Sequence, residues 1–161
     1  MEIRPFRPAD IDRILEIERA SFGRDAWSRS LFLDFATHCP DLFLVLKSGR
    51  RIAGYGITCT AGDKAELTSI AVDPRVRRQG LAQALLDYTA AELRRRRVQS
   101  WWLMVRVDNE GAIAFYRGYG FARTRLVRNY YEDGASGYRM RLALCVKTVS
   151  EKPASAPHRR A

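Results

Sequence analysis

Polar and apolar residues alternate through the opening MEIRPFR, and the alternation stops at Pro8; a period of two predicts a first strand. The period then lengthens. In PADIDRILEIERASF the positions Ile11, Ile14, Leu15, Ile17 and Phe22 fall near helical spacing, with Asp10 in the opening turn. WSRSLFLDFAT predicts a second, short helix with Ser28 as its N-cap. DLFLVLK, the turn SGRR and IAGYGITCT predict a hairpin, and a second turn, AGD, leads into KAELTSIAV to complete an antiparallel meander. LAQALLDYTAAELRRRR is amphipathic, with Leu81, Ala84, Leu85, Tyr88 and Leu93 on one side. QSWWLMVRV predicts a buried strand, NEGAIAFYRGYG a short helix closing on glycine, and FARTRLVRNYY with GYRMRLALCV a final hairpin around EDGAS. From about Thr148 the chain is polar, Pro/Ser/Ala-rich and unpatterned, which predicts a disordered tail over 148–161 behind a single domain over 1–147.

The resulting order is β-α-α-β-β-β-α-β-α-β-β. The helix that begins after Gly80 joins two strands, so those strands can run parallel as neighbours in a mixed sheet, an α/β architecture. Ligands of such sheets gather at the carboxyl ends of the strands. There the chain reads VDPRVRRQGLAQALL, with Arg75, Arg77 and Arg78 ahead of Gly80 at the mouth of a helix. A helix N-terminus offers unpaired N–H groups and a positive dipole end, and glycine admits close approach to the backbone. The residues by themselves fit an anion cradle, but favour a solvated loop that turns a strand into a helix.

Composition changes this picture in one respect. With 161 residues, 47% apolar and 29% charged, the chain is long enough for one domain with a real core. Its net charge is +10, from 28 Lys and Arg against 18 Asp and Glu. That imbalance suits an anionic cofactor, an acidic polypeptide or a nucleic acid as partner. The run Arg94 to Arg97 falls in the last turn of its helix, where cations complement the dipole; a nucleic-acid contact there is the secondary reading. The three cysteines, Cys39, Cys59 and Cys145, show no close pairing, and the two histidines, His38 and His158, lie far apart. The expectation is therefore reduced thiols and no metal site. With no apolar signal core and no run approaching ~18 apolar residues, a cytoplasmic protein without membrane contact is expected.

Three segments together carry a family resemblance. Arg77-Arg78-Gln79-Gly80-Leu81-Ala82 fits R/Q-x-x-G-x-G/A, and LTSIAVDPRVRRQGLAQALL surrounds it. VDNEGAIAFYRGYGF supplies Asn109, Ala112, Tyr116, Gly120 and Phe121 in an Asn-x-x-A-x-x-x-Y-x-x-x-GF arrangement. In these segments the chain resembles the GNAT superfamily of N-acetyltransferases. RNYYEDG, Arg128 to Gly134, and DAWS, Asp25 to Ser28, resemble its RimI-like branch, the ribosomal-protein-alanine N-acetyltransferases. The similarity runs from about residue 2 to 145.

The resemblance implies a mixed sheet whose fourth and fifth strands splay to admit acetyl-CoA, with no metal. Backbone groups near Ile70, Ala71 and Val72 would pair with the pantetheine and polarise the thioester carbonyl. Arg77, Arg78, Gln79, Gly80, Leu81 and Ala82 would hold the pyrophosphate, and Asn109 would position the cofactor arm or order the following helix. Tyr116 matches the general acid that protonates the leaving thiolate. The RimI-like pattern expects a glutamate base in the fifth strand, where this chain has Met104, which accepts no proton. Glu66 matches a fourth-strand glutamate used as base elsewhere in the superfamily; as a residue it is equally a solvent-facing strand position or an ion-pair partner. Tyr130 and Tyr131 match an aromatic pair that grips the acceptor, with Trp27 facing them. Ser136 and Gly137 depart from the acidic residue and alanine of relatives. The implied activity is direct acetyl transfer from acetyl-CoA to a protein or peptide N-terminal α-amine, with a ribosomal protein as partner. A small-amine acetyltransferase and an acetyl-CoA-binding module with weakened catalysis are the alternatives, and the protein would be a monomer or dimer.

Overall fold

The computed structural model describes residues 1–144. Cys145 and the segment expected as a tail lie outside them. Strands β1 (Glu2–Pro5), β2 (Phe43–Ser48), β3 (Arg51–Ala61), β4 (Lys64–Val72), β5 (Ser100–Arg106), β6 (Ala122–Val127) and β7 (Gly137–Ala143) form one sheet in the order β1-β2-β3-β4-β5-β7-β6. Helices α1 (Ile11–Phe22) and α2 (Arg29–His38) separate β1 from β2; α3 (Leu81–Arg95) joins β4 to β5, and α4 (Glu110–Tyr119) joins β5 to β6. The β4–β5 pair is parallel, as a crossover through α3 requires, and the other pairs are antiparallel. The element order and the meander are as the hydrophobic periods predict.

The sheet is covered on both faces, and β2 shows how. Its residues Phe43 and Val45 join Ile14, Ile17 and Phe32 of α1 and α2 on one face, whereas Leu44 and Leu46 join Leu81 and Leu85 of α3 on the other. Alternate side chains of a strand point to opposite faces, so a strand buried on both sides must be apolar throughout. Further along, Leu86, Ala90 and Leu93 of α3 meet Trp101, Leu103 and Val105 of β5, with Ile113, Phe115 and Tyr116 of α4 packed alongside. Phe22 and Tyr88, expected on apolar faces, stand 39% and 38% exposed. Phe22 is the last residue of α1, and Tyr88 stands outside the buried set of α3, which includes Leu81, Leu85, Leu86 and Leu93.

Two caps behave as their residue types dictate. The Ser28 hydroxyl accepts from the Leu31 N–H at 3.3 Å, and the Asn109 side chain accepts from the Ala112 N–H at 3.1 Å. Asp10 acts differently: it lies ahead of α1 and takes the Arg7 N–H and the Arg4 guanidinium, binding β1 to the helix entry.

The cysteines depart from expectation. Cys39, the C-cap of α2, and Cys59, on β3, form a disulfide with Cα atoms 5.2 Å apart. Their separation of 20 residues in the chain gave no pairing signal; the descent of α2 onto β3 brings them within the usual span of such a bond.

One glycine fixes the spacing of the sheet near its functional edge. A Cβ placed on Gly54 would stand 2.8 Å from the Ala71 carbonyl oxygen, a backbone atom that cannot step aside. Gly54→Ala is therefore expected to lower stability by about 1–3 kcal/mol through overpacking, measured by urea unfolding.

Candidate active site

The ladder between β4 and β5 is short. Lys64, Ala65 and Glu66 pair with Ser100, Trp101 and Trp102, and pairing ends there although β4 continues to Val72 and β5 to Arg106. The cause lies on the other side of β4. Ile57 of β3 pairs with Ser69 and Thr58 with Leu67, so Thr68 is an extra residue, a bulge that bends its strand and raises its twist. The two strands diverge into a cleft at their carboxyl ends, the place the topology favours for a ligand.

Backbone alternation decides what the cleft offers. The Asp73 N–H donates to the Ala53 carbonyl of β3 at 2.8 Å. By the period of two, the groups of Ala71 also face β3, and those of Ile70 and Val72 face the cleft. The Arg77 Nε donates to the Val72 carbonyl at 3.1 Å, leaving the Ile70 pair directed at the opening. An extended ligand with alternating amide groups can add there as a strand would.

At the mouth of the cleft the chain enters α3 through two left-handed residues, Arg78 (φ 62°) and Gly80 (φ 75°). Gly80 is the N-cap, has no side chain to accept the first helical N–H groups, and is followed by no acidic residue in the first turn. Those N–H groups remain free for an anion. Space beside Gly80 is open, and Arg77, Arg78, Gln79 and Gly80 are exposed, with Leu81 buried and Ala82 half-buried behind them. Asp73 anchors this loop: Arg75 and Arg13 bind its carboxylate and hold it well below the usual carboxylate range, despite burial.

Aromatic and acidic side chains collect on the opposite side of the opening. Tyr116, on α4, packs edge-on to Phe121 at 5.9 Å. Burial and then the neighbouring Tyr131 push its phenol up, and nothing draws it down. Tyr131 and Tyr130 meet edge-to-face at 4.9 Å, and burial leads in raising Tyr131 to about 12. Tyr130, 47% exposed, is raised by burial and by Glu66. Glu66 is half-buried on β4; burial pushes its carboxyl up, and Arg139 pulls it part of the way back. The fold thus gathers Tyr116, Tyr131, Tyr130 and Glu66 into one neighbourhood, although they come from α4, the β6–β7 loop and β4.

Met104 lines the same place. A Cβ on Gly137 would come within 2.9 Å of the Met104 Cε and 3.3 Å of the Tyr131 ring, so the methionine and tyrosine meet over that glycine. Trp27, expected to face the tyrosine pair, makes its ring contacts with α2. It stacks on Phe35 at 5.0 Å and tilts against Phe32 at 5.6 Å, because the α1–α2 connection turns its ring toward α2.

Residues 11–121 match the Acetyltransferase (GNAT) family. The chain belongs to that family. A protein of Escherichia coli (strain K12) named [ribosomal protein bS18]-alanine N-acetyltransferase is 44% identical over 105 residues, covering 65% of this chain and 70% of its own. The solved structure of the ribosomal-protein-S18-alanine N-acetyltransferase from Escherichia coli superposes with a TM-score of 0.81 at 32% identity, over 92% of this chain and 97% of its own. Ard1 from Thermoplasma volcanium superposes with a TM-score of 0.85 at 32% identity, over 90% and 98%. This protein is an N-acetyltransferase, similar to the RimI-like enzymes in sequence and in fold.

Within the acetyltransferase, sequence reasoning missed a buried polar group beside the site. Glu18 of α1 is 1% exposed. One carboxylate oxygen accepts the Trp27 backbone N–H at 2.9 Å; the other accepts the Tyr55 hydroxyl, which lies 3.1 Å from the Ser69 hydroxyl of β4. Burial pushes this carboxyl up, against its hydrogen bonds. Glu18 therefore ties the α1–α2 loop to the diverging part of β4. A signal existed: Glu18 stands three residues after Leu15 and four after Ile14, on the apolar face of its helix. Of the Arg94 to Arg97 run, Arg95 and Arg96 pair with Glu92 and Asp41, and Arg94 donates to the Leu144 carbonyl, so much of that charge is engaged internally.

Proposed function

We propose that this acetyltransferase moves the acetyl group of acetyl-CoA onto the N-terminal α-amine of a polypeptide, by direct attack within a ternary complex. The observation that carries the reading is the cleft itself. One side presents the free helix mouth at Gly80 and the outward Ile70 backbone; the other presents Glu66, Tyr130, Tyr131 and Tyr116. The pyrophosphate would sit on the N–H groups from Arg78 to Ala82, with Arg77 beneath, and the pantetheine would run beside Ile70 and Val72. Asn109 serves by capping α4 and so placing Tyr116.

The incoming amine attacks the thioester carbonyl, the Ile70 backbone supplies the donor that receives the developing oxyanion, and the C–S bond breaks as Tyr116 hands its proton to the departing sulfur. The amine must be neutral to attack. An α-amine has a pKa of about 7.7–8, so on the order of 10% is free base at pH 7, against less than one in a thousand for lysine. An apolar Met104 in place of a carboxylate is compatible with the first acceptor and poorly suited to the second. We assign Glu66 as the base, through water, and the tyrosine pair as the grip on the first residues of the peptide. The name of the Escherichia coli relative supports a ribosomal protein as acceptor, and with it a cytoplasmic reaction.

Among the described residues, no helix is long and apolar enough to cross a membrane. Acetylation of a peptide library by the purified protein, read by mass spectrometry, tests the reading: N-terminal acetylation supports it, and turnover on small amines alone overturns it.

The role of Glu66 has its own signature. A base works ionised, and burial moves this carboxyl upward, so the rising acidic limb of kcat/KM should lie above the ordinary carboxylate range. Glu66→Gln should remove that limb and lower the rate at neutral pH. What remains should follow the amine alone, rising about tenfold per unit until pH ~8. An unchanged pH profile removes Glu66 from the mechanism.

A further inference from the structure

Arg106 ends β5 on the same face as Trp102 and Met104, and it reaches side chains of three loops. Its Nη1 lies 3.8 Å from Asp25, its Nε 3.3 Å from Asp108, and its Nη2 pairs with Asp133. Its Cζ stands 4.9 Å over the Tyr131 ring. Asp25 closes the turn Gly23–Asp25, two residues before Trp27. Asp133 follows Tyr131 by two residues and also accepts the Ala135 N–H at 3.0 Å.

The two loops differ in how they are held. The β6–β7 loop is braced internally, Tyr131 N–H to the Ala135 carbonyl at 3.0 Å and Gly134 N–H to the Tyr131 carbonyl at 2.9 Å, and it is tied to the end of β5 by Val107 N–H to the Ser136 carbonyl at 3.1 Å. The α1–α2 loop is held from behind by Glu18, at the Trp27 N–H. Among the described residues, the ionic contact between the acceptor side and this loop is Asp25 with Arg106, the longest of the three Arg106 contacts. The side chains of Asp25, Asp108 and Asp133 are 69%, 69% and 53% exposed, so salt reaches all three pairs.

We propose that Arg106 is a positioning residue, an ionic latch that couples the α1–α2 loop through Asp25 to the β6–β7 loop through Asp133 and Tyr131, and thereby sets the width of the acceptor groove. This rests on the acceptor site assigned above. The latch acts on the peptide and leaves acetyl-CoA alone, because none of its partners reaches the helix mouth at Gly80. Its Asp25 arm is the one that opens, being the longest of the three.

Hydrogen–deuterium exchange of the full chain tests the coupling without any turnover. Asp25→Asn should speed amide exchange in 128–136, a segment it does not alter, and Asp133→Asn should speed exchange in 23–28. Arg106→Gln should loosen both segments, and 1 M NaCl should do the same in the unaltered protein. Effects confined to the mutated loop, or no response to salt, overturn the latch. Kinetics give the second readout. Salt should raise the peptide KM of the unaltered enzyme about threefold to fivefold, as expected for exposed pairs, and leave that of Arg106→Gln nearly flat, with the acetyl-CoA KM unchanged in both. A merely structural arginine would shift stability without removing the salt response. Should no peptide be acetylated, the acceptor assignment fails, and the exchange experiment still judges the latch.

Discussion

Replacing Tyr116 by phenylalanine should lower kcat by roughly a hundredfold to ten-thousandfold, the range for a lost general acid, while acetyl-CoA binds as before. The substitution keeps the ring that packs on Phe115 and Phe121, so stability should barely change. What disappears is the proton. Burial and Tyr131 both push the phenol up, so at neutral pH it is fully protonated and available to a thiolate forming beside it. The measurement is single-turnover acetylation of a peptide with saturating acetyl-CoA, beside a titration of CoA binding. A rate within a fewfold of the unaltered enzyme would show that water, and not Tyr116, protonates the leaving group.

Phe32→Ala carries the largest expected effect on stability, about 3–5 kcal/mol. Phe32 is fully buried on α2 and meets Trp27, Phe43 and Tyr55, the last edge-to-face at 5.4 Å. Its removal leaves a cavity between helix and sheet that three rings on separate elements cannot all close. For a chain of this length, each kcal/mol moves Tm by about 2–4 °C, so a fall of roughly 6–20 °C is expected by differential scanning calorimetry. The loss should extend to function, because the floor beneath Trp27 and the Glu18–Tyr55 pair goes with it. The peptide KM should rise more than the acetyl-CoA KM.

Much of the donor side of the site was legible in the chain. The stretch from Val72 to Leu86 announces a strand, a stop, an arginine-rich turn and a glycine before an amphipathic helix, and the fold places it at the carboxyl end of β4 as local periodicity predicts. Asn109, expected to position the cofactor arm or order the following helix, caps that helix. Local signals suffice there because anion binding at a helix mouth depends on backbone conformation over a few consecutive residues.

The acceptor side was only partly legible, and the difference is physical. Tyr130 and Tyr131 stand together in the sequence, but their proximity to Glu66, Met104 and Tyr116 follows from β7 entering between β5 and β6. Trp27 was expected to face them, and its ring stacks on Phe35 of α2, a partner eight residues further along the chain. Cys39 and Cys59 looked unpaired at a separation of 20 residues and became a disulfide when α2 settled on β3.

Sequence alone determined the element order, the mixed sheet, the family motifs at Gly80 and Tyr116, and the absence of a carboxylate at Met104. Each is written in residues close together in the chain, where period, caps and spacing operate. Tertiary structure alone decided the Thr68 bulge that opens the cleft, the turn of Ile70 rather than Ala71 into it, the burial of Glu18, and the convergence of Asp25, Asp108 and Asp133 on Arg106. These depend on register and on charges meeting across distant loops. A one-residue slip in β4 would turn Glu66 to the other face and swap which backbone groups look into the cleft, with no change in composition or helical period.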